Sequence, residues 1–89
     1  MVTRQIVQNE LLAYLNHEIG LNELVDWAKN AMMEGEFEER DVDMLTSITA
    51  RLGLADVREF GLSWDECRQF LERLGYRVQV SATPLGVAG

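Results

Sequence analysis

A run of acidic side chains in the middle of the chain is the first candidate for chemistry. Residues 34–43 carry six carboxylates, those of Glu34, Glu36, Glu38, Glu39, Asp41 and Asp43. Asp41 and Asp43 have the spacing with which a calcium loop begins. Thr46, however, stands at the sixth position, where that loop needs glycine, and Leu52 replaces its closing glutamate. No metal site is therefore predicted here. The expected use of the run is electrostatic, because such a patch attracts a basic protein surface and speeds its association.

Cys67 and His17 are the next candidates, since an imidazole that activates a thiolate is a known route to nucleophilic catalysis. Each is the only residue of its type. Cys67 lies on the apolar stripe of a predicted helix and is interpreted as a packing residue. His17 falls in the last turn of another predicted helix, where a positive charge suits the helix dipole. The sequence also lacks a glycine-rich phosphate loop and a multi-histidine metal motif. We therefore predict no catalytic residue, no metal and no cofactor.

Two tryptophans and a pair of methionines are candidate contacts for another protein, because such side chains are common in interfaces. Trp64 is in phase with the apolar stripe of its helix and is predicted to be buried. Trp27 lies at the margin of an apolar face and is predicted to be partly exposed. Met32 is expected to point inward and Met33 outward. Trp27 and Met33 thus join the six carboxylates as predicted partner-binding residues.

Charge and composition narrow the class of protein. The chain has 89 residues and a formal net charge of −7, and ten acidic but only three basic side chains fall in residues 1–44. That balance opposes the phosphate contacts needed to bind nucleic acid directly. The N-terminal residues lack the apolar run of a signal peptide, and no stretch is long enough for a membrane span. With a single cysteine, a cytoplasmic location is expected.

Apolar periodicity predicts a mainly α fold of four helices. The first runs from the cap Thr3 to about Ile19, and the second from about Asn22 to Gly35. The third starts between residues 37 and 41 and ends at Gly53. The fourth begins at the capping box of Ser63 and Glu66 and ends at Gly75. Gly20, Gly53, Gly61 and Gly75 are interpreted as stops, each followed by an apolar residue that folds back onto the preceding helix. One further short turn is allowed around 56–60.

Alternating apolar residues after Gly75 predict a β-strand at 76–81. The expected organisation is one helical domain over residues 1–80, ending in this strand, and a flexible tail at 82–89. The strand has no obvious mate in the sequence. It is left open whether the strand pairs with residues 2–6, with a second copy of the chain, with a partner, or with nothing.

These observations favour a small acidic protein that binds another protein and performs no catalysis. It would dock on a basic surface, as antitoxin-like, immunity-like or adaptor modules do, and the likeness to such proteins is one of size and charge only. The alternative is a self-assembling structural or regulatory subunit that dimerises through the C-terminal strand. A thiol enzyme based on Cys67 is the third hypothesis.

Overall fold

The computed structural model describes residues 1–57 and 61–77, and this part of the chain is mainly helical. It contains four α-helices and one 3-10 turn: α1 (Arg4–Leu15), α2 (Leu21–Glu34), the 3-10 turn (Glu39–Asp41), α3 (Val42–Leu52) and α4 (Trp64–Arg73). The prediction of four helices is confirmed. The strand predicted at 76–81 falls mostly outside the described residues, as do the tail at 82–89 and the end of the short turn predicted at 56–60.

The first helix begins as predicted but ends earlier. The Thr3 hydroxyl oxygen accepts a hydrogen bond from the Ile6 N–H at 3.3 Å and caps the N-terminus of α1. The helix ends at Leu15 because His17 adopts the left-handed conformation, with φ 62°. The N–H groups of His17 and Glu18 return to the carbonyls of Tyr14 and Ala13, which is the Schellman pattern. A histidine therefore occupies the position predicted for Gly20.

Gly20 and Gly53 do not act as left-handed stops. Gly20 is extended and precedes α2, and its N–H donates to Glu23 Oε1 at 3.3 Å. Gly53 has a helical φ of −66°, and the chain continues from it in hydrogen-bonded turns. Those turns bury Ala55 and leave Leu54 45% exposed, so the prediction that Leu54 folds back onto α3 is wrong.

Both ends of the last helix follow the prediction. The Ser63 hydroxyl accepts from the Glu66 N–H at 3.1 Å, and the Glu66 carboxylate accepts from the Ser63 N–H at 3.4 Å. At the other end Gly75 has φ 98°, and the Tyr76 N–H donates to the Leu71 carbonyl at 2.9 Å. The local sequence is sufficient to predict both ends of α4. The capping box and the Schellman glycine provide hydrogen-bond partners for backbone groups at the helix ends, which have none within the helix.

The core lies where α1 packs against the other three α-helices and α2 packs against α3. It is built mainly from aliphatic side chains, with Cys67 and Phe70 from α4: Val2, Val7, Leu11, Leu24, Ala28, Ala31, Leu45, Ile48, Leu52, Cys67, Phe70, Leu71 and Leu74. The prediction that Cys67 is a buried packing residue is confirmed. None of the helices in the described part of the chain has the length and apolar character that crossing a membrane requires.

Two predicted core positions are exposed instead. Trp64 is 46% exposed because it is the first residue of α4 and lies at the edge of the core, beside the turn that follows α1. Met32 is 42% exposed although it follows buried Ala28 by one helical turn, and it lies in the last turn of α2.

Candidate functional site

The acidic segment between α2 and α3 is held in place by the N-terminal residues. Val2 pairs with Phe37 in a parallel bridge: its N–H donates to the Glu36 carbonyl at 2.6 Å, and its carbonyl accepts from the Glu38 N–H at 3.0 Å. The Phe37 side chain packs against the core. Because side chains alternate along an extended segment, Glu36 and Glu38 point away from Phe37 and toward solvent. Glu36 is exposed and Glu38 half-buried.

A bidentate ion pair between Arg4 and Asp41 fixes the end of this segment. Arg4 Nε and Nη2 donate to Asp41 Oδ2 and Oδ1, each at 2.8 Å, and Arg4 Nη1 donates to the Leu74 carbonyl at 3.3 Å. Arg4 thus joins α1, the 3-10 turn and the end of α4. The Asp41 side chain is only 10% exposed.

The contact with Arg4 also affects the pKa of Asp41. The hydrogen bond from Arg4, followed by the charges of Arg4 and Arg40, lowers the pKa of Asp41 despite the opposing effect of desolvation. The same contact raises the pKa of Arg4. Asp41 was predicted to contact a partner, but in this structure its carboxylate is already occupied within the fold.

The other carboxylates of the run remain available. Glu36, Glu38 and Glu39 line one shallow groove of about 660 Å³ together with Met1, Phe37 and Arg40. Glu34 and Asp43 are exposed outside it. Within residues 1–57 and 61–77, no ion pair involves any of these five carboxylates. We call this set the acidic surface: Glu34, Glu36, Glu38, Glu39 and Asp43.

In the second half of the chain, the acidic residues that the structure describes are paired instead. Glu66 Oε2 lies 2.7 Å from Arg51 Nη2, which also donates to the Gly61 carbonyl at 3.1 Å. Arg68 contacts Glu72 at 3.1 Å and Asp65 at 4.0 Å. One further ion pair joins the two halves of the chain, in which Asp56 Oδ2 lies 3.2 Å from Lys29 Nζ. The excess of acidic residues in the first half of the chain thus corresponds to carboxylates without an ion pair among the described residues, whereas the described carboxylates of the second half are paired.

The two remaining predicted partner-binding residues lie apart from the groove of Glu36, Glu38 and Glu39. Trp27 is half-buried and packs against the core, and Met33 is 80% exposed. Met33 lines a different groove of about 350 Å³, between α2 and the turns after α3. We call it the Met groove and define it by its lining residues: Lys29, Met32, Met33, Ala50, Gly53 and Leu54.

The Cys67 thiol is buried, whereas the His17 imidazole is exposed. Cys67 is fully buried, and burial, followed by the charge of Glu66, raises the pKa of its thiol to about 11. His17 is exposed and lines a groove of about 470 Å³ with Tyr14, Trp64 and neighbouring residues, and Cys67 is not part of that lining. Among the described residues no group of three or more His, Cys, Asp or Glu side chains is placed to hold a metal ion.

No protein-family model matches the chain, and comparisons with curated proteins and with solved structures also find no match.

Sequence reasoning missed two features of these surfaces. The Arg4–Asp41 pair joins residues 37 positions apart and has no local signal. Leu54 and Met32 were expected to be covered. The exposure of Leu54 follows from the helical backbone of Gly53, which the sequence does not signal.

Proposed function

We propose that this protein is a non-catalytic protein-binding module that docks on a basic surface of another protein. The observation that carries the proposal is the contrast between the acidic surface, whose carboxylates have no ion-pair partner in the described part of the chain, and the paired acids of α4. Unpaired carboxylates repel one another and are stabilised when cations approach. A basic partner would supply those cations. The cytoplasmic location expected for a chain with one free, buried cysteine is part of this proposal.

The non-catalytic part of the proposal draws support from Cys67. A nucleophilic thiol needs to be accessible and partly ionised at neutral pH. Burial of Cys67 and a pKa raised to about 11 oppose both requirements.

A capture experiment with charge variants tests the proposal. The double variant Glu36→Gln/Glu39→Gln removes two carboxylates of the acidic surface, and Glu18→Gln/Glu72→Gln removes the same net charge from exposed positions elsewhere. Tagged wild type and both variants would capture proteins from the native cell, and the dissociation constant of the captured protein would then be measured. Exposed ion pairs contribute about 0.2–1 kcal/mol each, so the first variant should weaken binding roughly 2- to 30-fold.

The salt dependence completes this test. Binding should weaken between about 0.05 M and about 0.5 M salt, because screening shortens the range of exposed charges over that interval. A captured protein that binds both double variants equally, or that carries an acidic contact surface, would refute the docking proposal.

The alternative of a dimer formed through the strand at 76–81 concerns residues that lie mostly outside those described. Deletion of residues 78–89 keeps the Tyr76 N–H that caps α4 and removes most of the proposed strand. Sedimentation equilibrium of the full chain and the truncated chain would decide between the two functions. A dimer that dissociates on truncation, with no loss of partner capture, would make assembly a separate property.

A further inference from the structure

The Met groove is the least polar of the described surface features. Met33 is 80% exposed, Leu54 45% and Met32 42%, and all three line the same groove of about 350 Å³. Large apolar side chains that are exposed singly are ordinary, whereas a cluster of them marks an interaction site. Ala50 and Gly53 lie between them and contribute no long side chain. Methionine is flexible and polarisable, so this surface can adapt to an apolar occupant.

Exposed carboxylates flank the Met groove on the surface beyond its lining. Among the described residues that line the groove, only Lys29 is charged, and its Nζ is bound to Asp56 Oδ2 at 3.2 Å. Exposed Glu34 follows Met33 directly. Asp26 and Asp43 stand about two helical turns before Met33 and Ala50, on the same faces of α2 and α3. An occupant of this groove would therefore meet carboxylates at its ends and apolar side chains at its centre.

The backbone around the groove excludes pairing with a strand. Met32 and Met33 lie within α2, and Ala50 within α3, so their backbone groups are engaged in helices. Gly53 and Leu54 donate their N–H groups to Thr49 and Arg51. Because these residues offer no free edge, an added strand would find no backbone partners among them. A helix satisfies its own backbone and presents an apolar stripe, which is the form of ligand that this groove can accept.

We propose that the Met groove seats an amphipathic α-helix of the basic partner. Its apolar stripe would cover Met32, Met33 and Leu54, and its lysine or arginine side chains would reach Glu34, Asp26 and Asp43. This inference rests on the proposed function, because it identifies the kind of segment with which the basic partner binds. The long-range attraction comes from the acidic surface, and the close contact comes from the Met groove.

A designed peptide tests the proposal without knowledge of the partner. The probe is a helical peptide of about 18 residues with leucine repeating at helical spacing and lysine elsewhere. One control peptide has the same composition in an order that removes the repeat, and a second has glutamate in place of lysine. Binding is measured by calorimetry and by the methyl resonances of the methionines. Met32 and Met33 should shift, while Met44, which packs against the core away from the groove, should not.

Variants of the groove residues give the expected magnitude. Met33→Gln should weaken binding of the lysine peptide about tenfold to a hundredfold, since Met33 is 80% exposed and the helix would cover nearly all of its side chain. Leu54→Gln should weaken it less, about threefold to tenfold, because Leu54 is only 45% exposed before the helix binds. Leu12→Gln is the matched control, because Leu12 is 36% exposed on α1 and does not line the groove. It should leave the affinity unchanged.

The possible outcomes separate this inference from the proposed function. If both groove variants bind the peptide as wild type does while Glu36→Gln/Glu39→Gln weakens it, the groove proposal is wrong and docking by charge stands. If the glutamate peptide binds as tightly as the lysine peptide, the basic partner itself is refuted. A wild-type dimer that Met33→Gln converts to a monomer would show that a second copy covers the groove, and would overturn the assignment to a partner helix.

Discussion

The thiol of Cys67 should react with iodoacetamide far more slowly in the folded protein than in the unfolded chain. Its side chain is fully buried, and burial raises its pKa to about 11. At pH 8 a thiol with that pKa is about 0.1% ionised, whereas an ordinary cysteine with a pKa of about 8.5 is about 24% ionised. The ionised fraction alone predicts a rate roughly 200-fold lower. If the reagent reaches Cys67 only when α4 opens, the opened thiol has an ordinary pKa, and the rate falls instead in proportion to the fraction of molecules that are open.

The assay is a time course of alkylation at pH 8, followed by mass spectrometry in buffer and in denaturing urea. The variant His17→Asn serves as a test of thiol activation, since asparagine also tolerates the left-handed backbone of that position. It should leave the native rate unchanged. A native rate within tenfold of the unfolded rate, or one that falls when His17 is replaced, would refute the packing role of Cys67 and favour a thiol enzyme.

The remaining predictions concern stability, and urea denaturation measures each of them. Asp41→Asn should destabilise the fold at pH 7. Because Arg4 lowers the folded-state pKa of Asp41, its stabilising charge is fully present above the unfolded pKa of about 3.9, and the difference from wild type should shrink as the pH falls below that. A pH-independent difference would contradict this. Thr49→Val should raise the free energy of unfolding by up to about 1 kcal/mol, since the buried hydroxyl makes no hydrogen bond among the described residues. A loss of stability would show that the hydroxyl has a partner. Trp64→Ala should cost less than Leu71→Ala, for which about 2–5 kcal/mol is expected, because only Leu71 is fully covered. An equal loss of unfolding free energy in the two variants would show that Trp64 is a core residue.

The parts of the fold that the sequence predicts are those with local causes. Ser63, Glu66 and Gly75 satisfy the end groups of α4 through hydrogen bonds within a few residues. The burial of Cys67 follows from the apolar periodicity of the same helix. Such features depend on neighbouring side chains and backbone, so one sequence is sufficient to predict them.

The end of α1 and the burial of Trp64 were predicted wrongly because the sequence contains more than one local signal for each. Both His17 and Gly20 can end a helix, and glycine is the better residue for the left-handed position. The extended backbone of Gly20 is needed instead to begin α2, where Glu23 accepts its N–H. Gly20 could either end α1 in the left-handed conformation or begin α2 in the extended conformation. In the structure it begins α2, and His17 ends α1 instead. Likewise, Trp64 fits the core phase of α4 but lies at its first residue, where neighbouring elements decide the burial.

The candidate site shows the same division between local and distant causes. The excess of carboxylates in residues 34–43 is visible in the sequence, but which of them is available depends on Arg4. Without that contact Asp41 would add a sixth negative charge to the acidic surface, and the 3-10 turn would lose its link to α1 and α4. Pairing one carboxylate fixes the backbone that displays the others. The remaining carboxylates of the acidic surface would be desolvated only when a partner binds.

In the proposed binding mode, the acidic surface and the Met groove would contribute differently. Exposed charges act over about 8–10 Å at physiological salt and contribute little energy per pair, so the acidic surface would raise association rates more than affinity. The apolar contact of Met33 and Leu54 would have no such range but would slow dissociation once the surfaces meet. A helix that carries both lysines and an apolar stripe would use both features. A basic surface without the stripe would associate quickly and leave quickly.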